Sequence, residues 1–116
     1  MVDFSCVRGV AGIVTSTRKK QSLSDMRKSR PIVKARSRGM CEVRIPGVCE
    51  GRATNIHHRL PEGQGGKSEP SNLIALDGSG TTGCHGWIEH HREESYAAGW
   101  LVHSWEDPAE VPWGPA

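Results

Sequence analysis

Five of the six histidines and three of the four cysteines fall between Cys41 and Arg92. Within that stretch Ile56-His57-His58-Arg59 precedes Ser71-Asn72-Leu73, which precedes Gly83-Cys84-His85-Gly86-Trp87. Thiolate, imidazole and carboxylate are the side chains that hold transition metals, and imidazole is also the commonest general base. Phosphodiester hydrolysis needs both functions at one point. A base takes a proton from water, and a cation neutralises charge on the phosphate and the leaving oxygen. One imidazole of the His57-His58 pair suits the first task and the other suits the second.

The segment after Gly83 reads as a helix, which supplies the remaining ligands. His85 and Glu89 are four residues apart, so they stand about 40° from each other around the axis. His90 is five away, about 140° round, and should miss the cation. Glu89 is therefore the expected third ligand, with His90 as the fallback. Free N–H groups at the helix start favour a nearby phosphate. Arg59 follows the pair directly and is expected to hold a phosphate oxygen. Asn72 is expected to hydrogen-bond backbone across the preceding loop and so fix the base histidine.

Each signal has a plainer reading when taken alone. A His-His pair is usually surface or structural, Asn72 is a turn residue, and Cys84-His85 could be two ligands of a structural zinc finger. Their order and spacing together favour an active site.

Short elements must position these groups. Residues 53–58 read as a strand and 60–71 as a polar loop with Pro61, Gly63, Gly65, Gly66 and Pro70. Leu73 to Leu76 reads as a second, apolar strand. A Gly-rich connection follows, and Thr81 or Thr82 is placed to cap a helix over 84–98 that stops at Gly99. Residues 100–105 suggest a last strand, and 106–116 a Pro-rich tail. Cys41 and Cys49 bracket the turn signal Pro46-Gly47, which brings two thiols together as half of a zinc knuckle. Upstream, a short helix is expected over 31–38, with Pro31 at its first position and Gly39 as its stop. The division expected is a basic arm (1–30), a functional domain (31–105) and the tail (106–116).

A chain of 116 residues with 35% hydrophobic and 5% aromatic content makes a single domain with a thin core. A core that thin needs a staple, and the Cys and His content suggests metal rather than disulfides. No run of 18 apolar residues is present, so a membrane span is not expected. The first residues lack the pattern of a secretory signal, which points to an intracellular, cytoplasmic setting where thiols stay reduced. Charge is uneven. Residues 1–44 carry 11 Lys/Arg against 3 Asp/Glu, and residues 45–116 carry 4 against 10. A basic arm on an acidic body suits a polyanion partner, although a solvated tail has the same composition. Lys34, Arg36 and Arg38 are the expected DNA contacts together with Arg59.

The segment from Cys41 to Val102 resembles the HNH endonuclease family, and most closely its small bacteriophage-encoded forms. The matching motifs are Cys41-Glu42-Val43-Arg44-Ile45-Pro46-Gly47-Val48-Cys49, His57-His58-Arg59, Gly65-Gly66, Asn72-Leu73, and Gly80-Thr81-Thr82-Gly83-Cys84-His85-Gly86-Trp87-Ile88-Glu89. The resemblance implies an α+β fold of the ββα-metal (His-Me) finger type, with a Cys-rich zinc knuckle and a basic N-terminal arm. It implies a divalent metal (Mg2+, Mn2+, Ni2+ or Zn2+) at His57 and His85, and His58 as general base. It also implies cleavage of double-stranded DNA to 5′-phosphate and 3′-hydroxyl ends, and a role in homing or beside the phage DNA-packaging terminase. The active form would be a monomer or a dimer. The family's structural zinc usually has four cysteines. Here Cys41, Cys49 and Cys84 match, and Asp77 stands where the remaining cysteine is expected. A carboxylate can ligate zinc but suits a soft-ligand site less well, so the alternative is three packed thiols without metal.

Two further readings compete. One is a non-catalytic zinc-binding DNA adaptor, against which stands the redundancy of His57 and His58 for a site already furnished with thiols. The other is a decayed nuclease, for which Asp77 is the hint. Trp87 and Trp100 are expected to pack the helix on the sheet. Trp105 and Trp113 have no assigned role, and Cys6 is an incidental thiol.

Overall fold

The computed structural model describes residues 25–116. The chain is α+β, with three helices and one two-stranded sheet among the described residues. The organising strand is β2, Leu73–Leu76, whose four residues Leu-Ile-Ala-Leu are all buried. Strand side chains alternate between faces, so an uninterrupted apolar run requires cover on both sides. Ile74 and Leu76 enter the main core with Val43, Ile45, Cys84, Ile88 and Leu101. Leu73 and Ala75 enter a second cluster with Val33, flanked by Met26 and Ile56.

The partner strand β1, Asn55–His58, pairs antiparallel with His57 opposite Ile74 and His58 opposite Leu73. Directly opposed residues share a face. His57 therefore lies on the main-core side of the sheet, and His58 on the side covered by the first helix.

That helix, α1, runs through residues 25–37. It extends further upstream than the expected 31–38, and Pro31 lies inside it rather than at its start. The reason is a seating stripe: Met26 is half-buried, and Ser29, Val33 and Ser37 are buried, at spacings of three and four residues. Pro31 is on the exposed side. The Ser29 hydroxyl donates to the Ser68 carbonyl at 2.6 Å. A boundary between arm and domain at residue 30 thus cuts through a packed helix. The rest of the proposed arm and Cys6 lie outside the described residues.

Residues 84–98 were expected as one helix and form two, α2 (Gly83–His90) and α3 (Arg92–Ala98), broken at His91. Side chains take the carbonyls freed by the break. The His91 ring Nδ1 lies 2.9 Å from the Trp87 carbonyl, and the buried Ser95 hydroxyl donates to those of Ile88 and His91. Gly99 ends α3 as expected, in the left-handed conformation (φ +82°) that glycine adopts without penalty.

Residues 100–105 form no strand; Val102 donates one backbone bond to the Arg59 carbonyl. The Pro-rich end is a strap rather than a tail. Trp113 packs on the main core, the Trp100 indole donates to the Gly114 carbonyl, and the Ala116 N–H donates to the Val43 carbonyl. Trp87 and Trp100 pack edge to face at 6.0 Å in this core, as expected. Trp105 is 79% exposed and stacks on His103. No helix is long and apolar enough to cross a membrane among the described residues.

Candidate metal centres

Two clusters of ligand-bearing side chains flank the start of α2. Cys41, Cys49, Asp77 and Cys84 bring one ligand atom each within 4.8 Å of one another, and this cluster could hold a metal ion. The chain reaches this geometry locally. The turn at Pro46-Gly47 folds the thiol loop back, with Val48 and Cys49 donating to the Ile45 carbonyl. Each sulfur accepts a backbone N–H: Arg44 on Cys41, Gly51 on Cys49, Ile45 on Cys84. Such donors stabilise thiolate charge in a dry site.

Asp77 is fully buried at the end of β2. Its carboxylate accepts the Glu50 N–H at 2.7 Å and the Cys84 N–H at 3.2 Å, while its carbonyl accepts the His85 N–H. Asp77, not a threonine, therefore caps α2. Thr82 occupies the cap position but makes no side-chain cap bond. Gly83 takes φ +63°, and a Cβ there would meet the Asp77 carboxylate at 2.5 Å. Burial pushes the Asp77 carboxyl up, but hydrogen bonds from Cys84, Glu50 and Cys41 outweigh it and hold it at about 2. Burial and the bond to Asp77 push the Cys84 thiol up, and burial does the same for Cys49. Crowded thiolates in a dry pocket repel one another, and a cation at their centre relieves that repulsion. The described cysteines form no disulfide.

The second cluster is His57, His85 and Glu89, again with ligand atoms within 4.8 Å of one another. Helical spacing places His85 and Glu89 together as expected, and His57 reaches them from the main-core face of β1. The rings of His57 and His85 lie 5.4 Å apart. The Trp100 carbonyl is 2.9 Å from His57 Nε2. A carbonyl only accepts, so Nε2 carries the proton and Nδ1 presents its lone pair. Burial, chiefly, together with the neighbouring His85, lowers the His57 pKa to about 4, which keeps the ring in the neutral form that binds metal.

His85 Nδ1 is buried with no hydrogen-bond partner among the described residues. Buried polar nitrogens are almost always paired, so an orphan beside two other ligands fits a coordinated cation. His90, the fallback, is outside the cluster: its ring bonds back to the Gly86 carbonyl.

His58 is half-buried on the other face of the sheet, with Nε2 3.0 Å from the Ser68 hydroxyl. Burial lowers its pKa against the opposing pull of Glu62, and so favours the neutral ring. When Nε2 donates to Ser68, Nδ1 is free to take a proton. Asn72 fixes this loop as expected. Its amide oxygen accepts the Leu60 N–H, and its NH2 donates to the carbonyls of Leu60 and Lys67, the latter next to Ser68. Ser68 and Ser29 had no signal in the sequence, because a hydroxyl in a polar loop or helix is unremarkable until its partner is known.

Arg59 overturns an expectation. Its side chain is 1% exposed and donates to the carbonyls of Gly99, Ser71, Pro108 and Val111. Four of its five N–H groups are spent on backbone carbonyls and the side chain is shut away from solvent, so Arg59 does not stand where a phosphate could reach it; it ties the strap to the sheet. Arg36 is also committed, in a bidentate pair with Glu42 and in bonds to the Pro70 and Leu73 carbonyls. Lys34 and Arg38 are exposed, as DNA contacts must be.

No protein-family model matches the chain, and no curated protein or solved structure matches it either.

Proposed function

We propose that the chain is a metal-dependent DNA endonuclease of the HNH type, with a ββα-metal core and a structural zinc on Cys41, Cys49, Asp77 and Cys84. The single observation that carries this reading is the unpartnered, buried Nδ1 of His85 beside His57 and Glu89. A structural zinc saturated by the thiol cluster leaves a purely structural role with no use for a second, separate set of ligands.

His57, His85 and Glu89 would hold the divalent ion, which when bound neutralises charge on the phosphate and the leaving oxygen. His58 is the general base. Adjacent strand residues diverge, so the base and the ligand His57 do not compete for one point but flank a phosphate laid over the end of β1. Water would be deprotonated by His58 on the side opposite the leaving oxygen. Ser68 and Asn72 are positioning residues: one holds the His58 ring, the other holds the loop that carries Ser68.

The test is a plasmid-nicking assay across magnesium, manganese, nickel and zinc with wild type and His58→Ala. The expected loss in the variant is about 10²- to 10⁴-fold, with metal content unchanged. Undiminished cleavage by His58→Ala sinks the assigned base.

The adaptor reading draws on one observation, the opposite faces taken by His57 and His58. It expects salt-sensitive DNA binding and no cleavage with any of the four metals.

A further inference from the structure

Two residues other than glycine have positive φ among the described residues: Arg38 at +57° and Arg44 at +56°. L-residues with a Cβ avoid this region, and glycine or asparagine normally fills it. Arg38 follows α1, where a left-handed glycine is the usual choice, and here Gly39 comes one residue later. Both arginines line the same open cleft of about 480 Å³, together with Arg36, Glu42, Trp113 and Pro115. Backbone strain gathers where a side chain is needed in place.

The charges in the cleft are not equivalent. Arg36 is paired in bidentate fashion with Glu42, which also accepts the Ala75 N–H, and it lies over the Trp113 ring at 5.5 Å. That pair adds no net charge to the cleft. Arg44 donates its Nε to the Cys41 carbonyl at 3.1 Å, which holds the side chain, and its terminal nitrogens have no partner among the described residues. Arg38 has no partner among the described residues. Two exposed guanidinium groups on one cleft match two anions carried on one chain, as the phosphates of a DNA backbone are.

We infer that the cleft between α1, the thiol loop and the C-terminal strap is a docking site for the DNA backbone, in which Arg38 and Arg44 each hold a phosphate. This rests on the nuclease reading for the identity of the polyanion, but not for the existence of the site. Because Arg44 sits inside the loop between Cys41 and Cys49 and its N–H donates to the Cys41 sulfur, the cleft is built on the thiol cluster.

Glycine substitution separates binding from folding. Arg38→Gly and Arg44→Gly remove the guanidinium groups and relieve the backbone, so the double variant should melt at the same or a higher temperature than its parent. Both proteins carry His58→Ala in the full, zinc-loaded chain, and binding of a short labelled duplex is read by fluorescence anisotropy across a salt series. The expected result is an affinity loss of about tenfold or more at low salt, with the slope of log K against log salt shallower by about 2. Unchanged affinity and slope in the folded double variant overturn the inference. So does binding of inorganic phosphate or a free mononucleotide that is lost in the double variant while duplex affinity is kept, since that would make the cleft a small-anion site. Absence of nicking in the parent chain is a separate result: it removes the nuclease reading and leaves the binding comparison standing.

Discussion

The two ligand clusters differ in how the protein has prepared them. In the sulfur cluster every group is already held. Three backbone N–H groups point at the three sulfurs, and Asp77 accepts two more while capping α2. The imidazole cluster is left incomplete: one nitrogen of His85 is buried without a partner, and the Glu89 side chain is 38% exposed. Closed ligand shells belong to structural metals, and sites with an open side belong to chemistry. The clusters share consecutive residues, Cys84 and His85, so one helix start serves both. An ion in the first cluster therefore anchors the backbone from which the second is hung.

The sharpest way to break this contrast is Cys41→Ala. Structural zinc contributes folding free energy outright, on the order of 10 kcal/mol in small zinc domains. On the proposed structural zinc, the variant is expected to lose metal binding and its cooperative thermal transition together. A folded variant with a normal melting curve would mean that the thiols merely pack.

Acid probes the open cluster through His57. Its folded pKa of about 4 lies below the 6.5 of the unfolded chain. Between those values the unfolded state binds a proton that the folded state does not. Stability is thus fully present above pH 6.5 and is lost as pH falls towards 4, by about 3 kcal/mol at most. The loss should appear as a difference in urea midpoint against pH between the wild type and His57→Gln, which keeps a donor for the Trp100 carbonyl. Parallel curves would show that His57 is not held neutral.

A smaller effect is expected from Glu89→Gln. Its side chain is partly exposed and its ion pair with Arg92 is long at 3.9 Å, so the fold should be nearly indifferent. Affinity for a divalent ion at the second site should fall about 10- to 100-fold, measured calorimetrically on zinc-loaded protein. Equal affinity in the variant would remove Glu89 from the site and weaken the distinction between an open and a closed cluster.

What was legible in the residues alone is what depends on near neighbours. The strand Leu73–Leu76 came out with its observed limits, because an apolar run between turn signals has few other fates. The meeting of His85 and Glu89 follows from helical spacing. Asp77 stands in the sulfur cluster, a place that the family resemblance implied and no local pattern did. Its second role as the cap of α2, in place of Thr82, was not legible, because the competition between two acceptors for one N–H is decided by the turn between them.

What only the tertiary structure decided is where long-range partners lie. Arg59 beside two histidines reads as a phosphate ligand, yet its four carbonyl partners are 12, 40, 49 and 52 residues away. Pro-rich residues 106–116 read as a tail, and become a strap because Arg59, Trp100 and Val43 offer partners for backbone groups that a local pattern cannot foresee. The helix over 84–98 breaks at His91 because a ring and the Ser95 hydroxyl can satisfy the freed carbonyls there. Periodicity and ligand spacing are written along the chain, whereas the satisfaction of buried backbone groups is settled only when distant segments meet.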